Sequence, residues 1–249
     1  MQKIAAVFFL LLFSCTCAIA QPVRVAVAAN AQYVLQQLKA DFSKKTGVAV
    51  EIISGSSGKL TAQIKNGAPY DVFLSADMDF VQTVYSAGMT LMKPRVYATG
   101  SLIVCSATGA DLKNWKKIAA QKGTGKIAIA NPKVAPYGKA AEEAFNHFGL
   151  YKSILPQLVF GESISQVNTY VLNKVVAIGF TTESLAYEIA GNTDFKWLRI
   201  DPSAYTPIKQ GAVLLKHAKS SNYNNSKRFY DYLFSPAAKA IFKKYGYGV

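Results

Sequence analysis

The chain has 249 residues, 51% of them apolar, and a formal charge of +14 at pH 7. This length and apolar content are typical of one or two globular domains and exclude a disordered or fibrous chain. The basic residues are scattered, without an arginine-rich run or a nucleic-acid-binding motif. We therefore predict a solvated basic surface that attracts small anions, and no nucleic-acid partner.

The first twenty residues have the pattern of a secretory signal peptide. Lys3 supplies a positive charge, residues 4–13 form an apolar run, and residues 18–20 read A-I-A, a small-residue cleavage site. We therefore expect cleavage after Ala20 and export of the mature chain. A membrane anchor is the alternative, disfavoured because the run is short, and a lipoprotein site at Cys15 is a minor one.

Removal of that segment leaves Cys105 as the one cysteine of the mature chain. A single thiol excludes an internal disulfide, and the sequence has no zinc-site spacing. Cys105 lies in the apolar run SLIVCSA, so we interpret it as a small buried residue. These observations predict no cation site and no cofactor.

Apolar strand-like runs alternate with helical patterns along the mature chain. The predicted strands are 22–29, 49–54, 71–76, 101–107, 126–131, 158–161, 176–181, 196–200 and 210–216. The predicted helices are 31–46, 58–67, 78–87, 138–148, 164–173, 182–190, 222–234 and 236–245. This alternation indicates an α/β fold with largely parallel sheets.

The predicted strands are too many for one small sheet, which indicates two lobes of similar build. No Pro/Gly/Ser-rich linker separates them, so we place strand-like crossovers near 94–101 and 203–210. The C-terminal strand and helices then return to the first lobe. The predicted division is a signal peptide at 1–20, a first lobe at 21–98 plus 207–249, and a second lobe at 99–206.

Four predicted strands run directly into a helix through small or polar residues. Each helix start leaves backbone N–H groups without an intrahelical acceptor, at the positive end of the helix dipole. In open parallel sheets ligands bind beyond the carboxyl ends of strands, so together these junctions predict an anion site in a cleft. Taken singly, each is more often an ordinary N-cap. The junctions contain Asn30, then Ser56 and Ser57, then Tyr137 and Gly138 after Pro136, and finally Ser163 and Ile164.

Motifs for nucleotide binding and hydrolysis are absent from the sequence. The Gly-Lys pairs at 58–59 and 125–126 lack the earlier glycine and the following Ser/Thr of a P-loop, and no G-x-S-x-G occurs. His147 and His217 are far apart and have no obvious carboxylate or Cys partner, so we interpret them as surface histidines. We therefore predict a binding protein without catalytic residues, and a secreted enzyme or an adhesion protein is a disfavoured alternative.

Three blocks of the sequence resemble the molybdate-binding proteins of bacterial ABC uptake systems. They read AANA near the mature N-terminus, GSSGKLTAQIKNGAPYDVFLSAD, and IANPKVAPYG, and the second block is the most specific. The resemblance covers essentially the whole mature chain, through YDYLFSPAAKAIFKKYGY. It implies an α/β, two-lobed class II periplasmic binding protein, in which each lobe is a mainly parallel sheet flanked by helices and the oxyanion lies between the lobes.

The resemblance also implies which residues contact the oxyanion. The first contact loop of the family corresponds to Ala29 and Asn30 with the residue that follows them. The serine of the second loop corresponds to Ser57. The third and fourth contacts are backbone N–H groups, and they correspond to Tyr137 and Ile164.

This sequence departs from the common family pattern at two positions. Many members carry a serine where Ala31 stands, and some carry a tyrosine where Phe180 stands, so two hydroxyl groups are missing here. The departures occur together, which fits a subset of the family that uses an asparagine at the position of Asn30. Ser56, beside the serine of the second loop, is a further candidate contact.

The function implied by the resemblance is capture of molybdate in the periplasm and its delivery to an inner-membrane ABC permease. Tungstate is nearly isosteric with molybdate and is expected to bind similarly. The protein is expected to act as a monomer and without a cofactor. The alternative is a binding protein for another anion, such as sulfate or an organic anion.

Overall fold

Two five-stranded sheets organise the structure, a computed structural model that describes residues 21–121 and 123–249. The predicted signal peptide at 1–20 lies outside the described residues. Within those residues the strands are β1 (Val23–Ala28), β2 (Val50–Gly55), β3 (Val72–Leu74), β4 (Arg95–Gly100), β5 (Leu102–Ser106), β6 (Ile127–Ala130), β7 (Leu158–Gly161), β8 (Ile178–Thr182), β9 (Lys196–Arg199) and β10 (Ile208–Leu214).

Helices cover both sheets. They are α1 (Gln32–Thr46), α2 (Ser57–Lys65), α3 (Met78–Ser86), α4 (Trp115–Ala120), α5 (Pro136–His147), α6 (Tyr151–Ile154), α7 (Ile164–Leu172), α8 (Ser184–Glu188), α9 (Tyr223–Tyr232) and α10 (Pro236–Lys244). The sequence predicted all of them except α4 and α6, which have six and four residues. Among the described helices, none is long and apolar enough to cross a membrane.

The two sheets share one strand order. It is β2-β1-β3-β10-β4 in the first sheet and β7-β6-β8-β5-β9 in the second. In each sheet four strands run in one direction, and only β10 or β5 runs against its neighbours. The prediction of a two-lobed α/β fold with mainly parallel sheets is confirmed, whereas the exact domain boundaries stay a prediction.

Strand β4 occupies the segment that the sequence predicted as the first crossover. It pairs antiparallel with β10 and is therefore a full member of the first sheet. The chain passes to the second sheet at Ser101, since β4 ends at Gly100 and β5 begins at Leu102. β4 was not among the predicted strands because its sequence, RVYATG, has only a short apolar stretch between Arg95 and Thr99.

Strand β1 is buried on both faces, which fixes the position of the residues that follow it. Val23, Val25 and Val27 belong to the core cluster beneath α1, α9 and α10. Ala26, which points to the opposite face, packs with residues of α2 and α3. The end of β1 is therefore held rigidly between two layers of helices.

A buried carboxylate ties the start of β3 to the C-terminal part of the chain. Asp71 is fully buried and accepts a hydrogen bond from the Arg24 backbone N–H at 2.8 Å. Its other oxygen lies 3.0 Å from His217 Nδ1 and accepts the Ser221 hydroxyl. The interpretation of His217 as lacking a carboxylate partner is therefore wrong, because the fold brings together residues that are 146 positions apart.

Replacement of Asp71 by alanine is expected to lower the free energy of unfolding by about 2–4 kcal/mol, because it removes the acceptor of a partly buried N–H and of a partly buried hydroxyl. Urea denaturation measures this loss. Asp194→Ala is the control, since Asp194 is exposed and makes only a surface ion pair with Lys174 at 3.1 Å. Equal losses in the two variants would contradict a structural role for Asp71.

Candidate functional site

A small cavity lies where the junctions after β1, β2 and β3 meet the first turns of α5 and α7. Its volume is about 10 Å³, far below the roughly 300–1,000 Å³ typical of pockets for organic ligands. This size suits a small ion. The lining residues are Ala28, Ala29, Asn30, Ser56, Ser57, Ala76, Ala135, Pro136, Tyr137 and Ile164.

The cavity brings together most of the residues that the sequence singled out. Ala31 and Phe180 do not line it. Ala31 packs in the core of the first sheet, and Phe180 stacks against Phe145 with ring centroids 4.6 Å apart. The predicted residues that do line the cavity are Ala29, Asn30, Ser56, Ser57, Tyr137 and Ile164.

Four lining residues were not predicted. Ala28, Ala76, Ala135 and Pro136 line the cavity with small apolar groups. Their side chains form no hydrogen bonds, so no chemical pattern marked them in the sequence. The available signal was position alone, because each stands at the end of a strand or at the start of a helix.

The hydroxyl group of Ser57 is set up to donate. Ser57 is the first residue of α2 and is 1% exposed. Its Oγ accepts a hydrogen bond from the backbone N–H of Ala76 at 3.0 Å. Among the described residues, no acceptor takes the hydroxyl proton, so Ser57 retains one donor for a ligand in the cavity.

The start of α5 contributes one backbone donor, not two. Pro136 has no N–H, and the N–H of Gly138 donates to Ala135 O at 2.9 Å. The expectation that Gly138 is a free donor is therefore wrong, because the first turn is tightened by this bond. The Tyr137 N–H has no acceptor in the described part of the chain, and neither has that of Ile164 at the start of α7.

Three helix N-termini converge on the cavity without a carboxylate. Helices α2, α5 and α7 have no acidic residue in their first turns. Acidic residues there would neutralise the positive end of each helix dipole. Because these turns have none, the positive potential remains available to attract an anionic ligand. No charged side chain lines the cavity, and the nearby Lys59 and Lys139 are exposed.

Asn30 is held from behind by residues distant in sequence. Its Nδ2 donates to Gln210 Oε1 at 2.8 Å. Its carbonyl oxygen accepts the Ser184 hydroxyl at 2.8 Å and the Tyr247 hydroxyl at 2.7 Å. These bonds fix the backbone of Asn30, which is 1% exposed.

Gln210 lies at the centre of a buried polar cluster behind the cavity. Its Oε1 also accepts the Tyr97 hydroxyl at 2.6 Å, and its Nε2 donates to the Tyr137 hydroxyl at 3.3 Å. Burial raises the pKa of Tyr97, Tyr137 and Tyr247, so all three hydroxyl groups stay protonated. The sequence signal for this cluster was one amide inside the apolar strand QGAVLL, and it was missed.

A larger cavity of about 180 Å³ lies beside the first one but has a different chemistry. Three carboxylates line it, those of Asp77, Asp79 and Glu143, together with Lys139 and Lys209. Burial and the neighbouring Asp79 raise the pKa of Asp77, and this effect outweighs the opposing one of Lys139. An acceptor-only dianion is disfavoured there, so the smaller cavity is the candidate anion site. Within the described residues, no group of three or more His, Cys, Asp or Glu side chains forms a metal site.

Residues 23–248 match the family model described as bacterial extracellular solute-binding protein. The chain is 34% identical to the molybdate-binding protein ModA of Azotobacter vinelandii, over 92% of this chain and 91% of that protein. It is 36% identical to the ModA protein of Rhodobacter capsulatus, over 92% and 89%.

Solved structures agree with these relatives. The periplasmic molybdate-binding protein of Azotobacter vinelandii superposes with a TM-score of 0.85 at 34% identity, covering 91% of this chain and 99% of that one. The sulfate-binding protein SubI of Mycobacterium tuberculosis has a TM-score of 0.70 at 14% identity, over 90% and 85%, which shows a shared fold alone. The chain belongs to the molybdate-binding protein family of bacterial extracellular solute-binding proteins.

Proposed function

We propose that this protein captures molybdate or tungstate in the periplasm and delivers the anion to an inner-membrane ABC permease. The anion lies in this small cavity, between a lobe of residues 21–98 plus 207–249 and a lobe of residues 99–206. The protein acts as a monomer, after removal of residues 1–20. The observation that carries the proposal is a cavity that offers several donors and contains no charged side chain.

The donors suit a fully deprotonated tetrahedral dianion. Its oxygens only accept hydrogen bonds, and the proposed contacts from Asn30, Ser57, Tyr137 and Ile164 donate them. Each hydrogen bond to a charged group contributes about 1.5–3 kcal/mol, so four such bonds give roughly 6–12 kcal/mol before the cost of association. The upper part of that range reaches micromolar binding.

Contacts between the two lobes support a closing motion around the anion. The Gly58 N–H donates to Val134 O at 2.9 Å, and the Ser165 hydroxyl donates to Gln32 Oε1 at 2.9 Å. Each of these bonds joins the lobe of β1 and β2 to the lobe of β6 and β7. Binding of an anion at the same interface favours the closed form, which the permease then recognises.

Calorimetric titration of the purified mature chain with sodium molybdate, tungstate, sulfate and phosphate tests the proposed function. Molybdate and tungstate are expected to bind with similar affinity and to raise the melting temperature. If sulfate or an organic anion bound more tightly, that anion would take the place of molybdate as the proposed substrate. Absence of a thermal shift and of binding heat with every anion would overturn the proposal.

Replacement of Ser57 by alanine is expected to weaken molybdate binding by about 1–3 kcal/mol, or roughly 5- to 150-fold, because one charged hydrogen bond is lost. Calorimetry measures the change in Kd. Ser153→Ala is the matched control, since Ser153 is exposed and lies outside the cavity. An unchanged Kd for Ser57→Ala would remove Ser57 from the site.

A further inference from the structure

One buried acceptor beside the cavity is left without a partner. Asn30 Oδ1 is buried and accepts no hydrogen bond from the described residues, although Asn30 lines the cavity. A buried, unsatisfied polar atom costs about 1–3 kcal/mol. The arrangement therefore calls for a group that compensates this atom, or for a different orientation of the amide.

An acceptor is the wrong group for a dianion such as the one proposed above. Asn30 Nδ2, its only side-chain donor, is directed to Gln210 Oε1 at 2.8 Å. In this orientation Asn30 Nδ2 donates its hydrogen bond to Gln210, and Asn30 Oδ1 accepts none. A half-turn of the side-chain amide would exchange the two atoms and leave the donor unused instead.

The surrounding cluster accepts such a half-turn only if Gln210 turns as well. With both amides reversed, Gln210 Nε2 donates to Asn30 Oδ1 and to the Tyr97 hydroxyl. The Tyr97 hydroxyl, already 3.5 Å from Ser75 O, donates its proton to that carbonyl. The cluster has partners for every polar atom of the two amides in this second arrangement, apart from Asn30 Nδ2.

The second polar atom of the Gln210 amide, Oε1, also has a hydrogen-bond partner after reversal. Its Oε1 then takes the place of Nε2, which lies 3.3 Å from the Tyr137 hydroxyl, and accepts the proton of that hydroxyl. The Tyr137 hydroxyl in turn accepts the Thr182 hydroxyl at 3.1 Å. Tyrosine and threonine hydroxyls both donate and accept, so neither loses a bond when the amides turn.

We propose that Asn30 and Gln210 form a coupled amide pair that reverses when a deprotonated oxyanion binds, with Gln210 as the positioning residue. The reversed pair presents Asn30 Nδ2 to the anion and pairs Oδ1 with Gln210. The pair is buried, since Gln210 is 0% exposed and Asn30 is 1% exposed, so water does not compete for these bonds. The inference rests on the proposed function, because it needs an anion in this cavity.

The coupled pair also separates two classes of oxyanion. A fully deprotonated anion needs donors alone and selects the reversed arrangement. A protonated oxyanion such as hydrogen phosphate carries a proton that needs an acceptor, which the reversed pair lacks. A protonated oxyanion therefore leaves the pair unreversed, because Asn30 Oδ1 then stays available to accept its proton.

Nuclear magnetic resonance of the side-chain amides tests the reversal directly. The expected result is that the Nε2 protons of Gln210 show an Overhauser effect to the ring of Tyr137 without anion, and to the ring of Tyr97 in saturating sodium molybdate. Calorimetry on the same sample establishes binding. Binding of molybdate with an unchanged Overhauser partner overturns this inference alone, and absence of binding by every oxyanion overturns both it and the proposed function.

Gln210→Leu provides a second test, because leucine has a similar size and forms no hydrogen bonds. Without Gln210 no partner holds Asn30 Nδ2 towards the anion, so the affinity for molybdate is expected to fall at least tenfold. Gln82→Leu, an exposed position, is the control. Unchanged molybdate affinity in Gln210→Leu would show that Gln210 does not position Asn30 and would overturn the inference.

Discussion

Replacement of Gly58 by alanine is expected to weaken molybdate binding while raising the thermal stability of the protein without anion. Gly58 lies in the first turn of α2, where alanine is a better helix former by about 1 kcal/mol. A methyl group at Gly58 would lie 2.9 Å from Val134 Cβ and 3.0 Å from its Cα in the opposite lobe. The added group therefore stabilises the helix and obstructs the approach of the lobes.

The obstruction is expected to lower anion affinity about 10- to 100-fold, equivalent to about 1.4–2.7 kcal/mol. Calorimetry gives the affinity, and the melting temperature without anion gives the stability. Gly191→Ala is the control, because a methyl group there meets nothing within 4 Å. A fall in both quantities would indicate damage to the fold, and an unchanged affinity would show that lobe approach at this point does not matter for binding.

Replacement of Gly138 by alanine is expected to abolish most of the anion affinity, by at least about 100-fold or 2.7 kcal/mol. A methyl group at Gly138 would lie 2.1 Å from the Ala130 carbonyl oxygen at the end of β6. The Ala130 carbonyl belongs to the backbone and cannot rotate away as a side chain could. The start of α5 must therefore move. The Tyr137 N–H moves with it, away from the position that the cavity gives it.

Overpacking of this kind also lowers stability by about 1–3 kcal/mol. Titration and thermal denaturation of Gly138→Ala separate the two effects. Asn146→Ala, on an exposed face of the same helix, is the control and should leave the affinity unchanged. Wild-type affinity in Gly138→Ala would show that the close contact between α5 and β6 does not position the donor.

The sequence predicted most of the fold because the elements carry clear periodic patterns. Strand β7 matches its predicted bounds, and the strand-to-helix junctions after β1, β2 and β6 lie where small and polar residues interrupt the apolar runs. Family membership confirms the prediction of a binding protein rather than an enzyme. The pattern failed at β4, where the apolar stretch between Arg95 and Thr99 is too short to stand out from the neighbouring residues.

The candidate site was predictable only in its local part. Ser57 and the N–H of Tyr137 follow from short stretches of sequence, because a helix start exposes its own donors. The residues behind Asn30 do not, since Gln210 lies 180 positions away and Tyr247 lies 217 away. Contacts of this range depend on the completed sheets, and no local pattern encodes them.

The position of β10 has a consequence for the order in which the protein folds. β10 separates β3 from β4 in the first sheet, yet it is the last strand of the chain to be synthesised. The N-terminal strands therefore cannot assemble into their final sheet until residues near 214 are available, and folding rests on contacts of long sequence separation.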